Sequence, residues 1–99
     1  MAKESAFQHG LIDRLSEVFP GCVVLKNDPL YLQGVPDLIV LYKDKWAMLE
    51  CKKSAEASHR PNQDYYISKF GSMSYAAFVY PENQEEVIHE LQQAFGTSG

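Results

Sequence analysis

The sequence lacks several features that mark particular classes of protein. Its 99 residues contain only two cysteines, Cys22 and Cys51, which are far apart and form no CxxC motif. Neither a zinc site nor a disulfide framework is therefore indicated. No run approaches the roughly 18 to 20 apolar residues of a membrane span, and no basic segment followed by an apolar stretch begins the chain. We therefore expect a cytoplasmic protein that does not contact a membrane.

Basic residues are missing from the last part of the chain. Residues 81–99 carry four acidic side chains and no Lys or Arg, whereas residues 1–80 carry nine of each sign. The net charge of −4 therefore comes from the final segment. Binding to nucleic acid favours basic surfaces, but the balanced first 80 residues leave such a partner open.

Hydrophobic periodicity divides the chain into seven segments in the order αβββαβα. Apolar residues recur at helical spacing in three of them, and β-rich runs form the other four. The predicted helices cover about 3–19, 61–71 and 81–95, and the predicted strands cover 22–26, 35–42, 45–52 and 73–80. We predict one α/β domain over residues 1–99, with a mixed sheet of about four strands flanked by helices and a flexible tail at 96–99.

The central pair of strands is expected to form a tight hairpin. Only Lys43 and Asp44 separate the two runs, which is the spacing of a two-residue antiparallel turn. Tyr42 then pairs with residue 45, and the same register places Asp37 directly opposite Glu50. Directly opposed residues of one face have Cβ atoms about 4.5 to 5.5 Å apart. Two carboxylates should therefore converge.

This pair of acids indicates a divalent cation. Like charges so close resist joint ionisation unless a cation lies between them, and hard oxygen ligands suit Mg²⁺. Lys52 shares the face of Glu50, where an ammonium can stabilise an attacking hydroxide or developing phosphorane charge. Alternatively, Asp37 only starts a strand, Lys52 and Lys53 are solvated strand-end charges, and Glu50 pairs with one of them. The apolar neighbours of both acids favour the first interpretation, since buried carboxylates are costly without a partner.

Three segments together resemble a known family. Residues 34–40 (GVPDLIV), residues 48–52 (MLECK) and Gln63 resemble the PD-(D/E)xK nucleases, particularly the VRR-NUC group with its G-x-P-D, E-x-K and downstream Gln. The likeness extends from residue 4 to about residue 80. It implies a restriction-endonuclease-like core and a nuclease that depends on Mg²⁺ or Mn²⁺.

The resemblance also implies roles for individual residues. Asp37 and Glu50 would bind the metal together with the backbone carbonyl of Cys51. Lys52 would orient or activate the attacking water, and Gln63 would support the lysine or the phosphate.

Other residues are weaker candidates. Such nucleases often carry a further acid on the first helix, which would be Glu4, acting through water or on a second ion. A glutamate in a first helical turn is also favourable through the helix dipole alone. Tyr31, Tyr65 and Tyr66 could stack on bases, although Tyr66 lies on the apolar side of its helix. The three histidines have no spacing that suggests a role. Basic side chains that could contact phosphates, but that are also ordinary surface charges, are Lys26, Lys53, Arg60 and Lys69.

The resemblance finally suggests a substrate. Small stand-alone VRR-NUC proteins, often viral or bacterial, are similar to Holliday-junction resolvases. We therefore expect a homodimeric endonuclease for branched DNA, in the cytoplasm of a bacterial cell or phage-infected host. Two alternatives are a nicking or restriction-like enzyme for ordinary duplex DNA and a non-catalytic nucleic-acid-binding module with a nuclease fold.

Overall fold

The fold was determined as a computed structural model that describes residues 4–97, without the side chain of residue 4. The described part of the chain has three α-helices and four strands in the predicted order αβββαβα. They are α1 (Glu4–Val18), β1 (Val23–Lys26), β2 (Leu38–Tyr42), β3 (Lys45–Cys51), α2 (Pro61–Met73), β4 (Tyr75–Val79) and α3 (Gln84–Ala94), the last preceded by a 3₁₀ turn at Pro81–Asn83.

The four strands form one mixed sheet in the order β1-β2-β3-β4. The β1/β2 and β2/β3 pairs are antiparallel, and the β3/β4 pair is parallel. Parallel neighbours need a crossover connection, which α2 supplies between β3 and β4. The predicted α/β class and four-stranded mixed sheet are confirmed.

The central hairpin has the predicted two-residue turn. Tyr42 pairs with Lys45, and Lys43 has the positive φ of +57° that tight antiparallel turns require. The ladder continues in the same register to its last pair, Leu38 with Leu49. Asp37 and Glu50 are the next positions outward, as the turn length predicted.

The two faces of the sheet are covered by different helices. Leu49 and Cys51 of β3 are fully buried in a core that α1 and α3 complete. Because side chains alternate along a strand, Trp46 lies on the opposite face. There its ring centroid is 6.3 Å from that of Phe70 in α2. The buried core consists of Leu11, Leu15, Phe19, Leu38, Val40, Ala47, Leu49, Cys51, Val79, Val87, Ile88, Leu91 and Phe95.

β2 begins later than predicted, at Leu38 rather than at residue 35. Pro36 has no N–H and cannot donate to a sheet ladder. Asn27 donates hydrogen bonds to the two carbonyls next to this position. Its backbone N–H donates to Asp37 O at 2.8 Å, and its Nδ2 donates to Pro36 O at 2.9 Å. This segment therefore belongs to the loop between β1 and β2.

α2 ends later than predicted. The helix passes through Gly71 and continues to Met73. Among the described glycines, Gly71 is not one of those with positive φ, so it does not form the left-handed cap that usually ends a helix. Instead, the N–H of Ser74 donates to Phe70 O at 2.9 Å as the chain enters β4.

The end of α3 is closed by backbone hydrogen bonds. Gly96 has φ +75° and donates to Gln93 O at 3.2 Å, while Thr97 donates to Gln92 O at 2.9 Å. Of the tail predicted to be flexible, residues 98 and 99 lie outside the described part. None of the described helices has the length and hydropathy that a membrane crossing requires.

Candidate active site

A cavity of about 250 Å³ lies where the central hairpin meets the first turn of α2. Its walls are the loop between β1 and β2, the ends of β2 and β3, and the start of α2. Both predicted metal-binding acids line it. The polar lining residues are Gln33, Asp37, Glu50, Arg60 and Gln63.

Glu50 enters the cavity because of strand alternation. Its neighbours Leu49 and Cys51 point into the core, so Glu50 faces the side covered by α2. The residue is only 4% exposed, and Gln63 Nε2 donates to its Oε2 at 2.9 Å. The same oxygen lies 3.9 Å from Lys52 Nζ. The carboxylate is thus buried next to both a donor and a cation.

Asp37, which directly precedes β2, is hydrogen-bonded to the end of β3. Its Oδ2 accepts a hydrogen bond from the backbone N–H of Cys51 at 2.8 Å. The N–H and C=O of one strand residue point towards the same neighbouring strand. The carbonyl of Cys51 therefore points to the side on which the Asp37 carboxylate lies, as expected for a third oxygen ligand.

Lys52 is a buried cation rather than a solvated strand-end charge. It is 8% exposed, and its Nζ donates to Gln63 Oε1 at 2.8 Å and to Ser58 O at 3.1 Å. The alternative interpretation anticipated the proximity of Glu50 to a lysine but placed that lysine in solvent. Of the two lysines that this interpretation named, Lys53 is exposed and Lys52 is not.

Gln63 links Glu50, Lys52 and the start of α2 by hydrogen bonds. It is the third residue of α2, and its Oε1 accepts both from Lys52 Nζ and from the backbone N–H of Arg60, the latter at 3.1 Å. Its Nε2 donates to Glu50. One amide therefore fixes the acid and the amine of the site relative to the start of the helix.

His59 has contacts that sequence reasoning missed. Its ring stacks on Phe78 with centroids 3.8 Å apart and an interplanar angle of 20°, and its Nδ1 lies 3.1 Å from Asp64 Oδ1. Phe78 pairs with Glu50 in the parallel β3/β4 register. Only that register could have revealed the connection. His59 thereby fixes the segment that carries the Ser58 carbonyl.

Of the remaining predicted residues that the structure describes, one lines the cavity and three do not. Glu4 is the first residue of α1, but its side chain lies outside the described part of the structure, so its role stays a prediction. Arg60 lines the cavity. Lys26, Lys53 and Lys69 are exposed and are not among its lining residues.

The oxygen donors fit a hard divalent cation. Within residues 4–97, no group of three or more His, Cys, Asp or Glu side chains could hold a metal. Mg²⁺ is usually bound by one or two carboxylates and keeps several waters for substrate phosphates. Asp37, Glu50 and the Cys51 carbonyl form such a set, since ionised carboxylates accept several contacts at once.

One solved structure shares this architecture. A protein described as a VRR_NUC domain protein superposes with a TM-score of 0.67 at 17% sequence identity, over 96% of this chain and 89% of that chain. The chain has the VRR_NUC fold. No protein-family model and no curated protein matches the sequence. The VRR_NUC fold expected from the motifs is thus confirmed, while the roles of the site residues stay predictions.

Proposed function

We propose that this chain is an endonuclease that hydrolyses DNA phosphodiester bonds with Mg²⁺ or Mn²⁺. The observation that carries the proposal is the hydrogen-bonded chain Glu50–Gln63–Lys52, of which Glu50 and Gln63 line one cavity together with Asp37. A buried Lys–carboxylate pair contributes little to stability compared with apolar residues of similar volume. Its position at the wall of an open cavity, which Glu50 lines, is therefore better explained by chemistry than by folding.

The acids would hold the cation. Asp37, Glu50 and the carbonyl of Cys51 supply oxygen ligands from two adjacent strands, which leaves coordination positions for water and phosphate. A bound divalent cation polarises a phosphoryl oxygen and lowers the pKa of a bound water. Glu50 and Cys51 belong to β3, and the hydrogen bond from the N–H of Cys51 holds the Asp37 carboxylate beside them, so the ligand positions are defined before substrate arrives.

Lys52 would act on the substrate side. Its ammonium is held by Gln63 and by the carbonyl of Ser58, so its position is defined before substrate binds. A preorganised cation can orient the attacking water and stabilise the negative charge that develops on the phosphate. Arg60, on the cavity wall, can contact a neighbouring phosphate.

Branched DNA, including Holliday junctions, is the proposed substrate, and a homodimer is the proposed active form. The net charge of −4 makes sequence-independent capture of linear duplex weak, which favours recognition of shape. A twofold dimer would present two identical cavities to two strands. The proposed location is the cytoplasm of a bacterial or phage-infected cell.

The test is a cleavage assay with three substrates. Supercoiled plasmid, a four-way junction and its component duplexes are incubated with Mg²⁺, Mn²⁺ or a chelator, and the solution mass is measured in parallel. We expect metal-dependent cutting with preference for the junction, and a dimer mass. Equal cutting of linear duplex by a monomer would favour the restriction-like alternative. Junction binding with no turnover in either metal would favour the non-catalytic module.

Matched variants separate the site from the surface. Lys52→Ala should abolish cutting while the circular dichroism spectrum stays near wild type. Lys53→Ala changes the adjacent but exposed lysine, which does not line the cavity, so it should lose far less activity than Lys52→Ala even if Lys53 contacts a phosphate. Undiminished cutting by Lys52→Ala would refute the mechanism.

A further inference from the structure

Two consecutive large side chains are exposed in the loop that lines the cavity. Leu30 is 89% exposed and Tyr31 is 86% exposed, and Leu30 is also one of the cavity-lining residues. Leucine is among the residue types most often buried, and large side chains exposed together beside a cavity are candidates for a binding surface. We refer to these two residues as the rim pair.

Hydrogen bonds hold the rim pair in a defined turn. Asp28 Oδ1 accepts from the N–H of Leu30 at 2.9 Å, and Asp28 O accepts from the N–H of Tyr31 at 3.3 Å. At the base of the loop, Asn27 donates to the carbonyl of Asp37. The turn that holds the exposed side chains thus begins next to a hydrogen bond to Asp37, a predicted metal ligand.

The far end of the loop is pressed against α2. Gly34 has φ +89°, and a Cβ at this position would lie 2.5 Å from Cγ of Asn62. The loop is thus closed between the sheet and the start of the helix, with the rim pair on its outer side. A ligand whose phosphate enters the cavity would contact Leu30, and Tyr31 is the next residue of the same loop.

We propose that the rim pair is a binding site for an unstacked nucleobase beside the scissile phosphate, with Tyr31 stacking on the base and Leu30 filling the space next to it. This inference rests on the proposed nuclease function and adds the residues that select the substrate. Aromatic side chains stack on any base because every base has a π face, and apolar side chains wedge between bases that have lost a stacking neighbour.

The rim pair therefore favours DNA with an open base step. In an intact duplex each base is stacked on both faces, so Tyr31 finds no free face. At a branch point, a gap or a single-stranded end, one face is exposed. The selectivity would come from the cost of unstacking a base, which is lowest where pairing is already interrupted.

The experiment measures base stacking directly. A duplex with one unpaired 2-aminopurine in a gap is compared with the same base inside an intact duplex, with Ca²⁺ replacing Mg²⁺ to limit cutting. We expect wild type to bind the gapped DNA at least tenfold more tightly and to quench its fluorescence. Tyr31→Ala should lose about tenfold in gapped-DNA affinity and most of the quenching, whereas Tyr31→Phe should retain both.

A second exposed tyrosine provides the control. Tyr65 is 58% exposed on α2 and does not line the cavity, so Tyr65→Ala should behave as wild type. Unchanged affinity and quenching in Tyr31→Ala would overturn the inference. So would a loss of dimer mass in Tyr31→Ala without loss of base binding, because the rim pair would then contact a second copy of the chain.

Cleavage of fully paired linear duplex with Mn²⁺ separates this inference from the proposed function. If wild type cuts that duplex and Tyr31→Ala cuts it equally well but loses its preference for gapped DNA, both proposals are supported. If wild type cuts and Tyr31→Ala keeps the preference, only the rim pair is refuted. If wild type cuts no DNA with either metal, the nuclease proposal itself fails, and this inference fails with it.

Discussion

Gln63 Oε1 accepts a hydrogen bond from Lys52 Nζ at 2.8 Å, so the amine at the end of β3 is positioned by the first turn of α2. The Nε2 of the same amide donates to Glu50. The crossover helix thus contributes to the site although it supplies none of the predicted metal ligands. Relative movement of α2 and the sheet would displace the lysine from the carboxylate that it accompanies.

Gln63→Ala should impair turnover more than DNA binding. Without the amide, Lys52 keeps the carbonyl of Ser58 but loses the contact that links it to Glu50. Loss of such a supporting contact typically costs about 10- to 100-fold in activity or metal affinity. We expect this range in kcat, measured on the four-way junction, with little change in Kd. Gln33→Ala, in the same cavity wall, should retain kcat; an equal loss in both variants would contradict the positioning role.

The buried pair allows stability and activity to be separated. Lys52→Met should lower the free energy of unfolding by about 3 to 5 kcal/mol, because Glu50 is left buried without its cation. Glu50→Gln combined with Lys52→Met removes both charges and should recover most of that loss, yet stay inactive. Urea denaturation and cleavage assays measure the two effects. A double variant as unstable as Lys52→Met would show that the pair is structural.

The surface neighbour controls for the substitution itself. Lys53→Met changes an exposed side chain and should alter stability by no more than about 0.5 kcal/mol. A larger effect would mean that loss of any lysine in this segment, rather than loss of the buried one, destabilises the protein.

Local sequence signals predicted the central hairpin and its register correctly. The two residues Lys43 and Asp44 set the turn and therefore the register. Strand alternation then predicts that the side chain of Glu50 points to the face of the sheet opposite that of the core residue Leu49. These features depend on neighbours within a few positions. The buried state of Lys52 could not be read this way, because the same alternation also fits a solvated strand end.

Contacts made by distant segments were not predictable from the sequence. The carbonyl of Ser58 and the stacking of His59 on Phe78 depend on the path of an irregular segment and on a parallel register set by α2. The late start of β2 similarly depends on Asn27, whose side chain reaches the carbonyl of Pro36. Such hydrogen bonds have no periodic signature in the sequence.

Stability should fall in alkaline solution because of Tyr75. Burial, together with a hydrogen bond to Glu90 and its charge, raises the pKa of Tyr75 above its ordinary value of about 10. A raised folded-state pKa contributes stability that is complete below the unfolded value and is lost as pH rises through the folded value. We expect the free energy of unfolding to decline above pH ~10, as measured by urea titrations at a series of pH values.

Substitutions at the same contact test that assignment. Tyr75→Phe removes the titrating hydroxyl, so the difference in unfolding free energy between wild type and this variant should change with pH only in the alkaline range. Other alkaline titrations, such as those of lysines, are common to both proteins and cancel. A difference that is constant from pH 8 to pH 11.5 would exclude Tyr75 as the cause.

Two glycines with the same backbone angle distinguish strain from crowding. Gly34 and Gly21 both have φ +89°, but a Cβ at Gly21 meets nothing within 4 Å, whereas one at Gly34 collides with Asn62. Gly21→Ala should therefore cost only the left-handed conformation, about 1 to 2 kcal/mol. Gly34→Ala should cost more and also reduce cleavage, because the loop lining the cavity must move away from α2. Adding Asn62→Gly should restore part of both losses, since the colliding side chain is gone. If both alanine variants lose equal stability and Asn62→Gly rescues neither property, the loop is not held against the helix at this point, and the position of the rim pair is not fixed by Gly34.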